Sequence, residues 1–149
     1  NKDEVLKKLR NVQNQIKVNK SQRNNFGKYN YRNAEDILAA ATPLLVKEGL
    51  TMVVLDNMEA VGDRIYVCST VIIEGIEVGK AYAREPLSQP GMAEPQCTGS
   101  ASSYARKYAL NGVFLLDDSA GDPDAQDNSN LGKKPAAKKA TAPKAEIPF

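Results

Sequence analysis

The stretch RIYVCSTVIIEGIEVGKAYAR, residues 64–84, predicts two β-strands with a turn at Gly75 between them. Both runs are rich in the β-branched and aromatic residues that strands favour. A third run of this kind, TMVVLD at 51–56, precedes them, and Gly62 with Asp63 marks the intervening turn. Apolar residues fall on both faces of the middle run, so we expect that strand to be covered on both sides. The predicted antiparallel meander consists of 51–56, 64–74 and 76–84.

Two helices are predicted before this sheet. The first carries an apolar stripe, which faces either the chain's own core or a neighbouring subunit. The members of the stripe are Val5, Leu9, Val12 and Ile16. The second helix begins at Asn33, a capping residue, and ends near Glu48, before Gly49. Residues 18–31 between the two helices are polar and show little periodicity, so they are predicted to form a loop or a short extended arm.

A third helix is predicted after the sheet, in the segment GSASSYARKYAL at residues 99–110. Thr98 or Ser100 is suited to cap its first turn. Small residues recur every four positions, so one face is nearly flat and can lie close against a sheet or another helix. These residues are Ala101, Ala105 and Ala109. The predicted class is α+β, a three-stranded antiparallel meander packed with helices.

With 149 residues the chain has room for one domain. The apolar pattern stops after Leu116, and the residues that follow are first acidic and then rich in Lys, Ala and Pro. A segment of this composition buries too little apolar surface to offset the entropy of ordering. We therefore expect a folded domain at 1–116 and a disordered tail at 117–149.

Cys68 and Cys97 lack the spacing of metal ligands, and the chain has no histidine to complete a zinc site. Their presence as two separate thiols indicates a reduced intracellular protein. No window approaches the roughly 18 apolar residues of a membrane span, and no apolar segment follows the charged N-terminal end as in a signal peptide. We expect no membrane partner and a cytoplasmic location.

Positive charge is concentrated at the N-terminal end. Residues 1–32 contain nine Lys and Arg against two acidic residues, whereas 33–116 contain six against ten. Such an arm suits a polyanion, because each neutralised phosphate releases counterions. A solvated basic helix explains the same pattern.

Catalytic motifs are absent from the sequence. Without histidine there is neither a hydrolase triad nor a histidine base, and we find no phosphate-binding glycine loop. We expect no catalytic residue, no metal and no cofactor. An aspartate cluster near the end of the last helix is interpreted as a hard-cation site or as a solvated acidic helix exit. Its members are Asp117, Asp118, Asp122 and Asp124.

On a helix that starts near Thr98, unpaired N–H groups and serine hydroxyls are predicted to meet a phosphate, with two cations one turn later. The side chains concerned are those of Ser100, Ser102, Ser103, Arg106 and Lys107. Tyr104 and Tyr108, four residues apart, form a second stripe. The alternative places the tyrosines in the core and the cations on an exposed face.

The segment GSASSYARKYAL, followed by LLDDSAGD and preceded by KYNYRNAEDILAAATPLLVKEGL, resembles the ERF (essential recombination function) family of phage single-strand annealing proteins. The family hallmark is a Gly-Ser-x-x-Thr-Tyr-Ala-Arg-Arg-Tyr-x-Leu run, with a Tyr-x-Tyr stretch before a helix. Here Ser103 stands for the usual threonine and Lys107 for the second arginine, so a hydroxyl and a cation are kept. The resemblance covers residues 26–122 and implies the β-β-β-α core of ring-forming strand annealers.

By this resemblance we expect binding of single-stranded DNA and ATP-independent strand annealing in homologous recombination, in an infected bacterial cell if the protein is phage-encoded. Cations would neutralise phosphates, and exposed tyrosines would stack on bases without sequence preference. A homo-oligomer, either a ring or a filament, is also implied. The implied DNA-binding residues are Lys28, Tyr29, Tyr31, Arg32, Arg84, Ser103, Tyr104, Arg106 and Lys107.

The terminal EIPF resembles the tip of bacterial single-stranded DNA-binding proteins, although its flank is lysine-rich rather than acidic. That resemblance implies that Ile147, Pro148 and Phe149 bind pockets on host replication or recombination proteins. Two other functions stay open. One is a passive single-stranded DNA-binding protein of the five-strand barrel type, which three strand runs disfavour. The other is a metal-dependent nuclease that uses the aspartate cluster.

Overall fold

The computed structural model describes residues 1–88 and 90–117. Its elements are α1 (Lys2–Gln15), β1 (Gln22–Asn24), β2 (Tyr29–Tyr31), α2 (Ala34–Glu48), β3 (Met52–Val61), β4 (Arg64–Ile73), β5 (Ile76–Arg84) and α3 (Glu94–Phe114). The predicted α+β class is confirmed. The tail prediction and the tip residues Ile147, Pro148 and Phe149 fall outside the described residues, apart from Asp117.

Strands β3, β4 and β5 form the predicted antiparallel meander, in that order. Glu74 and Gly75 both have positive φ, 49° and 77°, as the tight turn of a two-residue hairpin requires. Strand β3 continues to Val61, because pairing with β4 extends through Val61↔Arg64 to the turn at Gly62. The predicted end at residue 56 is too early, since polar residues interrupt the apolar run there while the backbone ladder goes on.

One face of the sheet is covered by α3, whose small residues form the contact. Ala101, Ala105 and Ala109 are 3%, 0% and 2% exposed, and the first two pack with Val67 of β4 and Ala83 of β5. The flat alanine face predicted from the sequence is therefore confirmed as a helix-to-sheet contact.

The predicted start of α3 near Thr98 is wrong. The helix begins at Glu94, with Ala93 as its cap and Pro95 in its first turn. Proline suits that turn because its missing N–H would have no helical partner there. The side chain of Gln96 accepts a hydrogen bond from the Ala93 N–H at 2.8 Å. The first turn has no apolar pattern by which it could be predicted, because residues 94–96 are exposed and Cys97 is the first buried residue of the helix.

Gly79 of β5 lies where the sheet and α3 approach closely. A Cβ atom built there would lie 2.3 Å from Cγ2 of Val113 and 3.4 Å from the carbonyl oxygen of Ala109. Val113 is itself buried, at 4% exposure. The close packing of α3 against β5 therefore depends on the absence of a side chain at residue 79.

Helices α1 and α2 complete the core on the same side of the sheet. The α1 stripe Val5, Leu9, Val12 and Ile16 is buried within the chain, together with Ile37 of α2 and Val71 of β4. Of the two interpretations of this stripe, the structure supports the chain's own core and not a subunit contact.

Helix α2 has both of the predicted ends. The Asn33 side chain accepts a hydrogen bond from the Asp36 N–H at 2.9 Å, and the Asp36 carboxylate accepts one from the Asn33 N–H at 2.9 Å. This reciprocal pair is a capping box. At the other end Gly49 takes a left-handed conformation, with φ 67°.

Residues 18–31 contain a β-hairpin where a loop or extended arm was predicted. Strands β1 and β2 pair through Gln22↔Tyr31, Arg23↔Asn30 and Asn24↔Tyr29. Strands of three residues are too short for a period-two pattern to be recognised in the sequence.

The other face of the sheet is not covered by any helix or strand of residues 1–88 and 90–117, so the prediction of cover on both sides is wrong. Val53, Leu55 and Tyr82 on that face are 45%, 55% and 47% exposed. Cys68 is an exception at 2% exposure, and neither it nor Cys97 forms a disulfide. Within the described part of the chain, no helix is both long and apolar enough to cross a bilayer.

Replacing Gly79 with alanine is expected to lower the free energy of unfolding by about 1–3 kcal/mol, the usual cost of overfilling a packed core. Urea unfolding measures this change. Val113→Ala in the same chain should recover part of the loss, because it removes the atom that the new Cβ meets.

Gly99 supplies the matched control, since nothing lies within 4 Å of a Cβ built at that position of α3. Gly99→Ala should gain about 0.5–1 kcal/mol, because alanine favours the helix. A Gly79→Ala variant as stable as Gly99→Ala would contradict the close approach.

Candidate nucleic-acid interface

One side of α3 carries two exposed tyrosines and a lysine. Tyr104 and Tyr108 are 54% and 47% exposed, and their rings stack with centroids 6.1 Å apart and an interplanar angle of 27°. The Lys107 Nζ lies 5.9 Å from the centre of the Tyr108 ring. The tyrosine stripe of the sequence is therefore on the surface, and the alternative that placed it in the core is wrong.

The β1–β2 hairpin extends this set of side chains. Lys107 Nζ also lies 5.5 Å from the centre of the Tyr31 ring, so the cation contacts rings from two elements. Tyr31 packs edge-to-face against Tyr29, with centroids 6.1 Å apart. We call the resulting series Tyr29, Tyr31, Lys107, Tyr108 and Tyr104 the aromatic–cation row.

The chemistry of the aromatic–cation row suits a single nucleic-acid strand. Exposed ring faces can stack on bases of any sequence, and an ammonium group can neutralise a phosphate. The hairpin adds positive charge at the exposed Lys28, next to Tyr29 in the sequence, whereas Arg23 pairs with Asn30 on the opposite face of the hairpin. Residues 17–34 contain five Lys and Arg and no acidic residue.

Arg32 follows β2 directly, but the structure does not place it for the predicted phosphate contact. It is 5% exposed. Its Nη1 donates to the carbonyl oxygen of Val18 at 3.1 Å, and its Nη2 donates to the carbonyl oxygen of Asp117. Arg32 therefore ties the segment before the hairpin to the end of α3, which holds the hairpin against the helix.

Arg106 lies on a different side of α3 from the row, since residues two apart on an α-helix point about 200° apart. Its Nη2 is 3.5 Å from Oδ2 of Asp56 on β3. Asp56 also accepts hydrogen bonds from the hydroxyls of Ser69, at 2.6 Å, and Ser102. The structure thus separates Arg106 from Lys107 and pairs it with a carboxylate.

Burial raises the pKa of Asp56, but the Ser102 and Ser69 hydroxyls and the Arg106 charge together outweigh it and hold the pKa below 3.8. The carboxylate is therefore ionised at neutral pH. Because the pKa of Asp56 is lowered in the folded protein, its ionised carboxylate stabilises the fold at pH values above the ordinary pKa of an aspartate. This stabilisation is lost as the pH falls through the lowered pKa.

Of the remaining predicted residues, Arg84 lies apart from the aromatic–cation row, whereas Ser103 lies one helical turn before Lys107. Arg84 is exposed at the end of β5 and pairs with Tyr66, on the face of the sheet that points away from α3. Ser103 is exposed on α3. The predicted phosphate site at the first turn of the last helix is wrong, because Ser100 and Ser102 lie inside a helix that starts at Glu94.

Asp56 and Ser69 were not identified from the sequence. Both lie on the helix-facing side of the sheet, where Asp56 pairs with Ser69 across β3 and β4. The sequence does contain an indication of this site. Ser69 is a polar residue on the same face of the strand as Val67 and Val71, which is the face that points to the core. Among the described residues, no group of three or more Cys, Asp or Glu side chains is arranged to hold a metal ion.

Asp56→Ala should lower the free energy of unfolding at neutral pH by about 1–3 kcal/mol, because the hydroxyl of Ser69, 0% exposed, loses its acceptor. The deficit relative to wild type should shrink as the pH falls through the lowered pKa of Asp56, where the native carboxylate becomes protonated. Urea unfolding across that pH range measures both effects.

Glu59→Ala is the control for this prediction, since Glu59 is an exposed carboxylate on the same strand. Its free energy of unfolding should stay within about 0.5 kcal/mol of wild type. Equal losses in the two variants would show that Asp56 has no special structural role.

Comparison with known proteins agrees with the resemblance in the sequence. The family model described as the ERF superfamily matches residues 5–147. The essential recombination function protein of Salmonella phage P22 is 40% identical over 149 residues, which are 97% of this chain and 71% of that protein. No solved structure matches the chain. Over nearly its whole length, therefore, the chain belongs to the ERF superfamily.

Proposed function

We propose that this protein binds single-stranded DNA and anneals complementary strands in recombination without ATP. Membership of the ERF superfamily, with a relative named for an essential recombination function, supports the recombination role. The aromatic–cation row is the observation that favours single-stranded DNA as the ligand. It offers ring faces and positive charge along one surface, built from β2 and α3.

Stacking and charge have separate tasks in this proposal. Tyr104 and Tyr108 stack on bases, and each such contact contributes about 1–3 kcal/mol of binding free energy. Lys107 neutralises a phosphate and so contributes an affinity that falls with salt. Contacts to base faces and backbone leave the pairing edges of the bases free, as annealing requires. Base pairing itself supplies the driving free energy, so no nucleotide hydrolysis is needed.

Annealing also benefits from several copies that hold one extended strand. The stripe of α1 is buried in the core and cannot join subunits. The uncovered sheet face is available for that purpose, because Val53 and Leu55 expose apolar surface on the edge strand β3. Two charges on this face neutralise each other, since Lys80 Nζ lies 3.1 Å from Oε1 of Glu77. We therefore assign subunit contacts in a ring or filament to this face.

The first experiment is fluorescence-monitored annealing of two complementary oligonucleotides without ATP. Wild type should accelerate pairing above the spontaneous rate. Lys107→Ala should slow annealing and weaken single-strand binding, with the salt slope of the binding constant reduced by about 0.7 for the one phosphate lost. Lys47→Ala is the matched control, since Lys47 is exposed near the end of α2 and contacts Gln15 of α1 instead of the row, and it should bind like wild type.

Other outcomes of this experiment identify other functions. Binding that protects strands from pairing would indicate a passive single-stranded DNA-binding protein instead. Shortening of labelled DNA with magnesium or manganese would indicate a nuclease. Lys107→Ala and Lys47→Ala variants with equal affinity would refute the assignment of the interface.

Leu55→Lys should lower the mass of the assembly in light scattering while leaving the fold intact, because Leu55 is 55% exposed. The physical reason is that a charge on an apolar contact surface must be desolvated when copies associate. Val46→Lys, on α2 at 71% exposure, is the control and should leave the mass unchanged. An unchanged mass for Leu55→Lys would exclude the sheet face as the subunit contact.

A further inference from the structure

The tip of the β1–β2 hairpin presents a fully exposed phenylalanine. Phe26 is 98% exposed, whereas Phe114 is buried in the core at 1%. An exposed aromatic ring forgoes the free energy that burial from water would provide. A single exposed apolar residue needs no explanation in itself, so the argument depends on how the tip is built and what surrounds it.

Three contacts fix the conformation of the tip. The Gly27 N–H donates to Oδ1 of Asn24 at 2.9 Å, and Nδ2 of Asn24 donates to the hydroxyl of Tyr29 at 3.0 Å. The Tyr29 ring lies directly over Gly27, since a Cβ built there would be 2.3 Å from its Cε1 atom. Lys28 completes the turn with φ 55°. The turn therefore holds Phe26 away from the core in a defined position.

The surroundings of Phe26 indicate which partner it meets. Lys28, two positions after Phe26 in the turn, is exposed, and no acidic residue occurs between residues 17 and 34. Tyr29, which packs on the turn, is the first member of the aromatic–cation row. An aromatic ring next to a cation, in a segment without acidic residues and continuous with further rings, matches bases and phosphates better than an apolar protein surface.

We infer that Phe26 stacks on an unpaired base of the strand that lies along the aromatic–cation row, so that the hairpin tip forms one end of the interface. The inference rests on the proposed function, because it requires that the row bind single-stranded DNA. Fixing the backbone of the turn before binding lowers the entropy lost on stacking. A base held at the tip leaves the neighbouring nucleotides on α3 extended and separated.

The chain contains no tryptophan, so a single substitution can report on the tip. In Phe26→Trp, titration with a thymidine oligonucleotide should quench the indole emission. The quenching should saturate together with the anisotropy of a labelled oligonucleotide, measured in parallel. Val46→Trp is the matched control, because Val46 is exposed near the far end of α2, and its emission should not change.

Affinity tests whether the aromatic ring itself matters. Phe26→Ala should weaken single-strand binding about tenfold, and Phe26→Leu should be equally weak because it has no ring face to stack. Phe26→Trp should retain the affinity. All three variants should keep wild-type circular dichroism, since Phe26 is 98% exposed and supports no core contact.

The outcomes separate this inference from the proposed function. Anisotropy that reports binding while Phe26→Trp emission stays unchanged would overturn the inference and leave the proposed function standing. A blue shift that grows with protein concentration without DNA would also overturn it, because the ring would then lie against a second copy. No binding by wild type would overturn the proposed function itself.

Discussion

The close packing of α3 on strands β4 and β5 is the constraint that the rest of the structure depends on. The alanines on the helix and Gly79 on the sheet carry at most a methyl group, so the two backbones approach closely at these positions. A helix at this distance cannot roll, because Val113 already fills the space beside Gly79. The two flanks of α3 therefore keep fixed directions, one towards Asp56 and the other towards the hairpin.

The alanine contact positions α3 on the sheet. Polar interactions then hold the hairpin and β3 against this helix. Arg32 connects the chain before the hairpin to the end of α3 through two carbonyl oxygens. Asp56 connects β3 to α3 on the other flank. Because of these two ties, Tyr31 of the hairpin reaches Lys107 of the helix, although the two residues are 76 positions apart in the sequence. Charged side chains, among them the buried Arg32, thus arrange an exposed surface.

Local chemistry explains which features could be predicted from the sequence. The meander followed from its turn residues, and the ends of α2 followed from Asn33 and Gly49, since each depends on neighbours in the chain. The three-residue strands of the hairpin, and the roles of Arg32 and Asp56, depend on contacts between distant segments. Arg32 and Lys107 are both cations next to aromatic residues in the sequence, yet only the fold shows that the first is buried and the second partly exposed.

The position of α3 in the chain has a consequence for synthesis on the ribosome. Ala109, Leu110, Val113 and Phe114, at the end of this helix, share the core with residues of α1, α2 and the sheet. A nascent chain that has emerged only as far as β5 therefore lacks the last layer of its own interior. Its helix-facing strands stay open to chaperones and to other nascent chains until residue 114 has left the exit tunnel. Completion of the fold is consequently a late event, timed by translation of the segment that also carries Tyr104, Lys107 and Tyr108.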